Sequence, residues 1–541
     1  MIQFNPLTRE EIINTEQEEE IDSRNQEKKS KKRKTQQIIL KQTDYLILYA
    51  LYRHRKLNAQ QVYTLVFNGK TYYDPHKGRY MSSYHPRSLI RRLGRLLETD
   101  FIRQDSYLLT YITEVGETVQ RKVPYYRLTD KGLEVVIARC VGGQRTEKWD
   151  EYKLDNKYYI PVREMNVRNM EHHNALQNVV TRAIDLVIQQ HKTITDFTQL
   201  VYGDGKRFRL FYGVNHLDQP LHVIPDFLFF SVNDIRDEDR YYLEWCTMDE
   251  AEAYLLKNKP RIVLEEDTGE QDLDKIVKKH RRYLKHLQYF QSFYEKHPLI
   301  FVYSVKNNLA NILMTDEVQG WENEEVLFER QRRIVNLKQY VQMAFDSLIK
   351  QGIILPYVVD DLRAPGLLSQ FILGRNKPDL NRFVEVINKA IEQISGYRFK
   401  RVFQDFKPEM NCSVNYLLEF ESPENERDTI NIFIQGVMPG DVQAEVTLIE
   451  TAKWLHHHQK SGLIIAVMEN EYQLKNEAFY LRHDHSGQDS KLLNYIFFTT
   501  PDVFEENEQG WVVGPNPQRK GIVFRRSEER RVGKECRSRW S

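Results

Sequence analysis

Three carboxylates in this chain are placed where hard-oxygen chemistry could be done. Asp226 lies in "IPDFLFF", directly behind Pro225 in an otherwise apolar run, where a charge is costly unless it has a partner or holds a cation. Glu265 and Asp267 close the run "RIVLEEDTGEQ"; two positions apart on an extended strand, they point to the same face. If the two strands are neighbours, the three acids converge on one point. Such a set suits Mg²⁺ or Mn²⁺ with waters, able to polarise a phosphodiester and activate a water. The basic run "KIVKKHRRYLKHLQY" follows at once, and Lys275, Lys278 or Lys279 could bring a cation beside the acids. The plainer alternative is a turn at Pro225-Asp226 and a solvated corner at Glu265 to Asp267. Two other chemistries fail on spacing. His456, His457 and His458 have no apolar residue between the outer pair, which suits a helix surface, and "YGDGKRF" lacks both the spacing and the Ser or Thr of a phosphate-binding loop.

The elements that must position these residues follow from periodicity. "NMEHHNALQNVVTRAIDLVIQQH" predicts a helix with Leu176, Val179, Val180, Ala183, Ile184 and Val187 on its apolar face, and "LVYGDGKRFRLFYG" predicts a hairpin turning at Asp-Gly. "PLHVIPDFLFF", "RYYLEWCT" and "RIVLEEDT" read as strands. A basic helix is expected from about Leu273 to Tyr294, then the strand "PLIFVYSV". Helix, strands, helix, strand is an α/β core.

Upstream, "TDYLILYALYRHRKL" offers Thr43 or Asp44 as a cap, "NAQQVYTLVF" starts a second helix at Asn58, and "HPRSLIRRLGRLLETDFI" a third behind Pro86. In the third, Leu89, Ile90, Leu93, Leu96 and Leu97 fall on one side, while Arg87, Arg91 and Arg95 recur every four residues on another. "SYLLTYITEV" and "KVPYYRLTDKGLEVV" then give a hairpin and a closing helix. This order is the winged-helix plan, whose third helix enters a major groove; Arg87, Arg91, Arg92 and Arg95 are the candidates for phosphate and base contacts. An amphipathic helix with a solvated basic face is the alternative.

At 541 residues the chain suggests about three domains. Lys plus Arg number 78 against 77 Asp plus Glu, so any nucleic-acid surface must come from local clustering. The four cysteines have no CxxC spacing, which argues against structural zinc and a disulfide framework. No apolar run approaches a membrane span of about 18 residues, and a cytoplasmic protein with no membrane partner is expected.

Residues 40 to about 310 resemble the replication-relaxation family of bacterial plasmids and mobile elements, in which a winged helix precedes a domain similar to the PD-(D/E)xK nucleases. The matching pieces are "HHNALQNVV", "IPDFLFF", "LEEDTGEQ", "KKHRRYLKHLQY" with Lys279 four residues before Tyr283, and "PLIFVYSV". A nuclease of this kind normally has Lys two residues after the acid, where this chain has Asp267. Read from the residues, the chain is α/β (α+β) and multidomain, with a charged arm over 1–38, a linker over 143–160, a further C-terminal α/β domain over 317–515 whose strands and helices carry no chemical motif, and a tail over 516–541 that reads as a sequence-end artefact. The resemblance implies a winged helix-turn-helix over 39–142 and a restriction-endonuclease-like core over 161–316. It also implies double-stranded DNA and plasmid replication or mobilisation proteins as partners, acting in replication, relaxation or mobilisation. Asp226, Glu265, Asp267 and Lys279 would form the catalytic set of a metal-dependent endonuclease or nickase, the three acids holding Mg²⁺ or Mn²⁺. A degenerate site would use no metal and only clamp DNA, and a winged-helix module for protein interaction or transcriptional regulation is the alternative without catalysis.

Overall fold

The protein is an α/β chain of more than one compact unit. The structure, a computed structural model, describes residues 39–67, 71–74, 79–82, 87–112, 118–140, 161–206, 208–234, 253–255, 257, 261–269, 273–306, 324–395, 398–407, 412–421, 429–458, 462–470, 473–474, 477, 481, 488–502, 511–512 and 522–523. The charged arm, Pro86, the linker, the strand "RYYLEWCT", Cys246, Cys536 and the terminal tail lie outside the described residues.

The first unit begins with α1 (Gln42–His54), whose N-cap is Lys41, earlier than Thr43 or Asp44. Asp44 acts instead from the third helical position, accepting the Lys41 backbone N–H at 2.8 Å. Asn58 caps α2 (Ala59–Val66) as its sequence predicts, and Gln61 returns a side-chain bond to the Asn58 N–H at 2.8 Å, closing a reciprocal box. Two short strands, β1 (Thr71–Asp74) and β2 (Arg79–Ser82), stand between α2 and α3 (Arg87–Glu98). Sequence periodicity gave no sign of them. Then come β3 (Ile102–Ile112) and β4 (Thr118–Leu128), an eleven-residue antiparallel hairpin in register Ile102 with Leu128 throughout, and α4 (Asp130–Cys140). The long helix α5 (Val167–Gln190) buries the apolar face expected of it, and β5 (Tyr202–Asp204) follows.

At and just past the end of α1, Arg53, His54, Arg55 and Lys56 are all buried. Arg53 donates to the carbonyls of Phe197, Leu200 and Tyr202 at 2.9–3.1 Å, and its guanidinium lies 3.8 Å from the Tyr202 ring centroid. His54 is held between Gln177 and the Tyr202 hydroxyl. Charge here joins α1 to α5 and to the segment leading into β5, through the bonds of Arg53 and His54 and the 3.5 Å ion pair of Arg55 with Asp204.

The second unit contains two sheets. An antiparallel hairpin, β6 (Leu210–Val214) with β7 (Pro220–Val223), leads into β8 (Phe227–Phe229), β9 (Ile262–Asp267), helix α6 (Leu273–Tyr289) and β10 (Leu299–Val305). The hairpin turns at Asn215 to Gln219 and not at Asp204-Gly205, since the partner of β6 is β7. "PLHVIPDFLFF" is likewise two strands: Pro225 has no N–H to donate, and pairing resumes at Phe227. Helix α7 (Glu324–Lys350), β11 (Ile354–Asp360) and α8 (Ala364–Ile372) follow. The strand order is β11-β10-β9-β8; β8 runs antiparallel to β9, and β9, β10 and β11 are mutually parallel. Every residue of β9 and β10 is buried, as expected of parallel strands covered on both faces.

The remaining elements are α9 (Asn381–Ser395), β12 (Arg398–Phe406), β13 (Val414–Glu421), β14 (Thr429–Gly436), α10 (Val442–His457), β15 (Gly462–Val467) and β16 (Ile496–Thr499). They form a sheet in the order β12-β13-β14-β15-β16, with α10 packed on one face and α9 on the other. Lys338 of α7 joins this layer to the rest of the unit: only 1% exposed, it is paired with Glu445 of α10 and, at 3.1 Å, with Glu477.

Candidate functional site

Phe227 pairs with Leu264, so Asp226 enters β8 beside Glu265 of β9. One Asp226 oxygen accepts the backbone N–H of Glu266 at 2.9 Å, which fixes the carboxylate against the strand. Its other oxygen lies 3.5 Å from the Lys279 ammonium. That ammonium also donates to Glu265, whose second oxygen accepts from the Tyr283 hydroxyl. Lys279 and Tyr283 are four residues apart on α6, so they share the face that packs over β9. Of the three carboxylates expected to converge, Asp226 and Glu265 meet, and of the three candidate lysines it is Lys279 that the crossover helix brings to them.

Burial, then repulsion from Asp226, pushes Glu265 up to about 8, against the opposing pull of Lys279. The two carboxylates in turn hold Lys279 charged. The Tyr283 hydroxyl is raised well above its usual range by burial and by Glu265, so it stays a donor.

Asp267 is a correction. It shares the parity of Glu265, but Arg333 of α7 takes both its oxygens, at 2.6 and 3.0 Å, and the Gly269 N–H adds a third bond at 3.1 Å. A carboxylate so bonded, with a forked guanidinium partner, is not a third arm of the Asp226 and Glu265 pair. Among the described residues, no group of three or more His, Cys, Asp or Glu is arranged to hold a metal ion. Glu266 points to the opposite face, where burial and then the Asp361 charge push it well above the ordinary carboxylate range.

Two acids remain for a cation. Hard oxygens from one or two carboxylates, completed by water, are a normal Mg²⁺ donor set; Asp226 is half-buried, and Glu265 could join it on an ion only by giving up its bonds from Lys279 and Tyr283. Because a proton on Glu265 competes with that ion, Mn²⁺ affinity should rise by about tenfold per pH unit between pH 6.5 and 7.5 and level off above about 8. Calorimetric titrations across that range check this; a flat affinity would show that Glu265 takes no part. On the outward side of α6, Lys275, Lys278, Arg281, Arg282 and Lys285 line the helix away from the acids.

Sequence reasoning missed Tyr283 as a site residue and Arg333 altogether. The four-residue step from Lys279 to Tyr283 was a usable signal; nothing in "ERQRRIV" marked which arginine would reach Asp267.

In the first unit, Arg87, Arg91 and Arg95 are exposed on α3, and Leu89, Leu93 and Leu96 are buried beneath them. Arg92 departs from that surface: it is paired with Asp44 at 2.7 Å and ties α3 to α1. Ile90, expected on the apolar side, is 44% exposed among the arginines. Among the described residues no helix is long and apolar enough to cross a membrane.

No protein-family model and no curated protein matches the chain. Among solved structures, a match is found to the central domain of yeast acetyl-CoA carboxylase at 12% identity, covering 65% of this chain and 59% of that one, with a TM-score of 0.13. The chain spans less than two thirds of that structure, and a TM-score so low carries no argument about fold or function.

Proposed function

We propose that this is a double-stranded DNA-binding protein of a plasmid or mobile element, with a winged helix in its first unit and a nuclease-like acid pair in its second. The observation that carries this reading is the meeting of Asp226, Glu265 and Lys279 at adjoining strand ends, beneath a helix whose outer face is basic. Outward Lys and Arg along α6 suit a phosphate backbone, and Arg87, Arg91 and Arg95 suit a second contact through α3. Arg92 is left out of the DNA contacts because it serves Asp44.

Hydrolysis would add one water across a phosphodiester. The water oxygen bonds to phosphorus, the P–O bond to one sugar breaks, one water proton passes to the departing sugar oxygen, and the other is released from the phosphate formed. When held by Asp226 and Glu265, a divalent ion supplies Lewis-acid polarisation of the phosphate and an acidified water. Lys279 would offset the charge that develops on phosphate. Asp226 keeps Glu265 and Lys279 in place through its bond to the Glu266 N–H.

A gel-shift titration at two salt concentrations tests the DNA reading. Arg91→Ala/Arg95→Ala should weaken duplex binding at least about tenfold and flatten the salt slope by about two, one unit for each phosphate left without its arginine. Unchanged affinity would remove α3 from the interface. The alternative use of the same surface is protein docking within a replication or mobilisation complex. Recovery of a replication protein by the intact chain, with no DNA retained at low salt, would establish that use instead.

A further inference from the structure

The C-terminal sheet repeats the arrangement that carries the acid pair. In the order β16-β15-β14-β13, β13 runs antiparallel to β14, and β14, β15 and β16 are mutually parallel. This is the order and sense of β11-β10-β9-β8. Helix α10 crosses from β14 to β15 as α6 crosses from β9 to β10.

The agreement extends to single residues. Tyr416 pairs with Ile434 as Phe227 pairs with Leu264, so Asn415 enters beside Gln435 as Asp226 enters beside Glu265. The Asn415 side-chain oxygen accepts the Gly436 N–H at 2.8 Å, the counterpart of the 2.9 Å bond from Glu266 N–H to Asp226. Two unrelated strand pairs need not share a side-chain cap at one register position.

The chemistry differs at every equivalent point. Asp226 becomes Asn415 and Glu265 becomes Gln435, each an amide of the same shape without the charge. Lys279 stands fourteen positions after Glu265. Fourteen positions after Gln435 is Ile449, with Leu448 before it, and both are buried hydrocarbon. Val437 replaces Asp267. Even the outer face is closed: a Cβ on Gly436 would come within 2.2 Å of Pro378 Cγ, so no acid can stand where Glu266 stands in the first sheet.

We infer that residues 414–499 are a second copy of the fold bearing Asp226 and Glu265, silenced by its Asn415 and Gln435 amides, so that each chain holds one divalent cation and opens one strand of a duplex. The inference rests on the acid-pair reading above. Neutral amides lack the charge that draws a hard cation out of water, and a site with no ion and no lysine has nothing to stabilise an in-line displacement. Adding one water across one P–O bond per site leaves the other strand intact.

Calorimetric titration of the full-length chain with Mn²⁺ tests it. One ion per chain is expected for the wild type and for Asn415→Ala/Gln435→Ala, and at least about tenfold weaker binding for Asp226→Asn/Glu265→Gln. Should Asn415→Ala disturb the β13 edge, Gln435→Met alone serves, since it keeps side-chain length while removing both polar atoms. Two ions per chain, one of them absent from the amide variants, would overturn the inference and leave the acid-pair reading standing. No ion in the wild type would overturn both. On supercoiled plasmid, the expected product is the open circle; linear DNA formed as fast as open circle, with a single ion bound, would overturn only the one-strand claim.

Discussion

Lys279→Met is expected to slow metal-dependent nicking by about 10²-fold and to move its pH profile to the alkaline side. The ammonium does two things at once: it bridges Asp226 and Glu265, and it offsets the charge of both acids. Methionine fills similar volume but leaves the acids facing one another. Glu265 is already pushed up to about 8 by burial and by Asp226, with Lys279 pulling the other way, so removing Lys279 raises it further. The deprotonated form needed to hold an ion is then reached only at higher pH. A pH–rate profile from 6.5 to 9.5 measures both effects. Equal rates and an unshifted profile would mean that Lys279 is only a structural counter-ion.

The second large effect concerns stability. Lys338→Met should lower the stability of the second unit by about 3–5 kcal/mol, because it removes the ammonium that lies between buried Glu445 and Glu477 and leaves Glu477 the Arg363 guanidinium only at 3.9 Å. Lys338→Met/Glu445→Gln should recover part of the loss, since one of the two charges is then gone. Urea unfolding followed by far-ultraviolet circular dichroism distinguishes these outcomes. A loss under about 1 kcal/mol in the single variant would show that water reaches the acids.

Much of the α/β core was legible because its signals are local. Six buried residues in β9, the alternation that separates Glu265 from Glu266, and the 276, 280, 283, 287 spacing of buried residues in α6 are all periodicities of two or 3.6. Asp226 was legible as a misfit in apolar company. Arg333 was not, because its partner is 66 positions away and only the packing of α7 decides which arginine turns inward. The burial of Arg53 was not legible for the same reason: composition reports charge, whereas burial depends on the carbonyls of Phe197, Leu200 and Tyr202, about 145 residues on. The second sheet was read as strands and a helix without a role. Its kinship with the first lies in register and capping, which need paired strands, and the substitutions to amides removed the charges that a sequence scan looks for.

The most direct test of the central claim is incubation of supercoiled plasmid with the intact protein and Mg²⁺ or Mn²⁺, beside Asp226→Ala and Glu265→Ala. The account predicts open circles with the wild type, at least about 10²-fold fewer with either variant, and duplex binding retained by all three. Intact plasmid with both metals while the wild type binds DNA, or equal nicking by the variants, would contradict it.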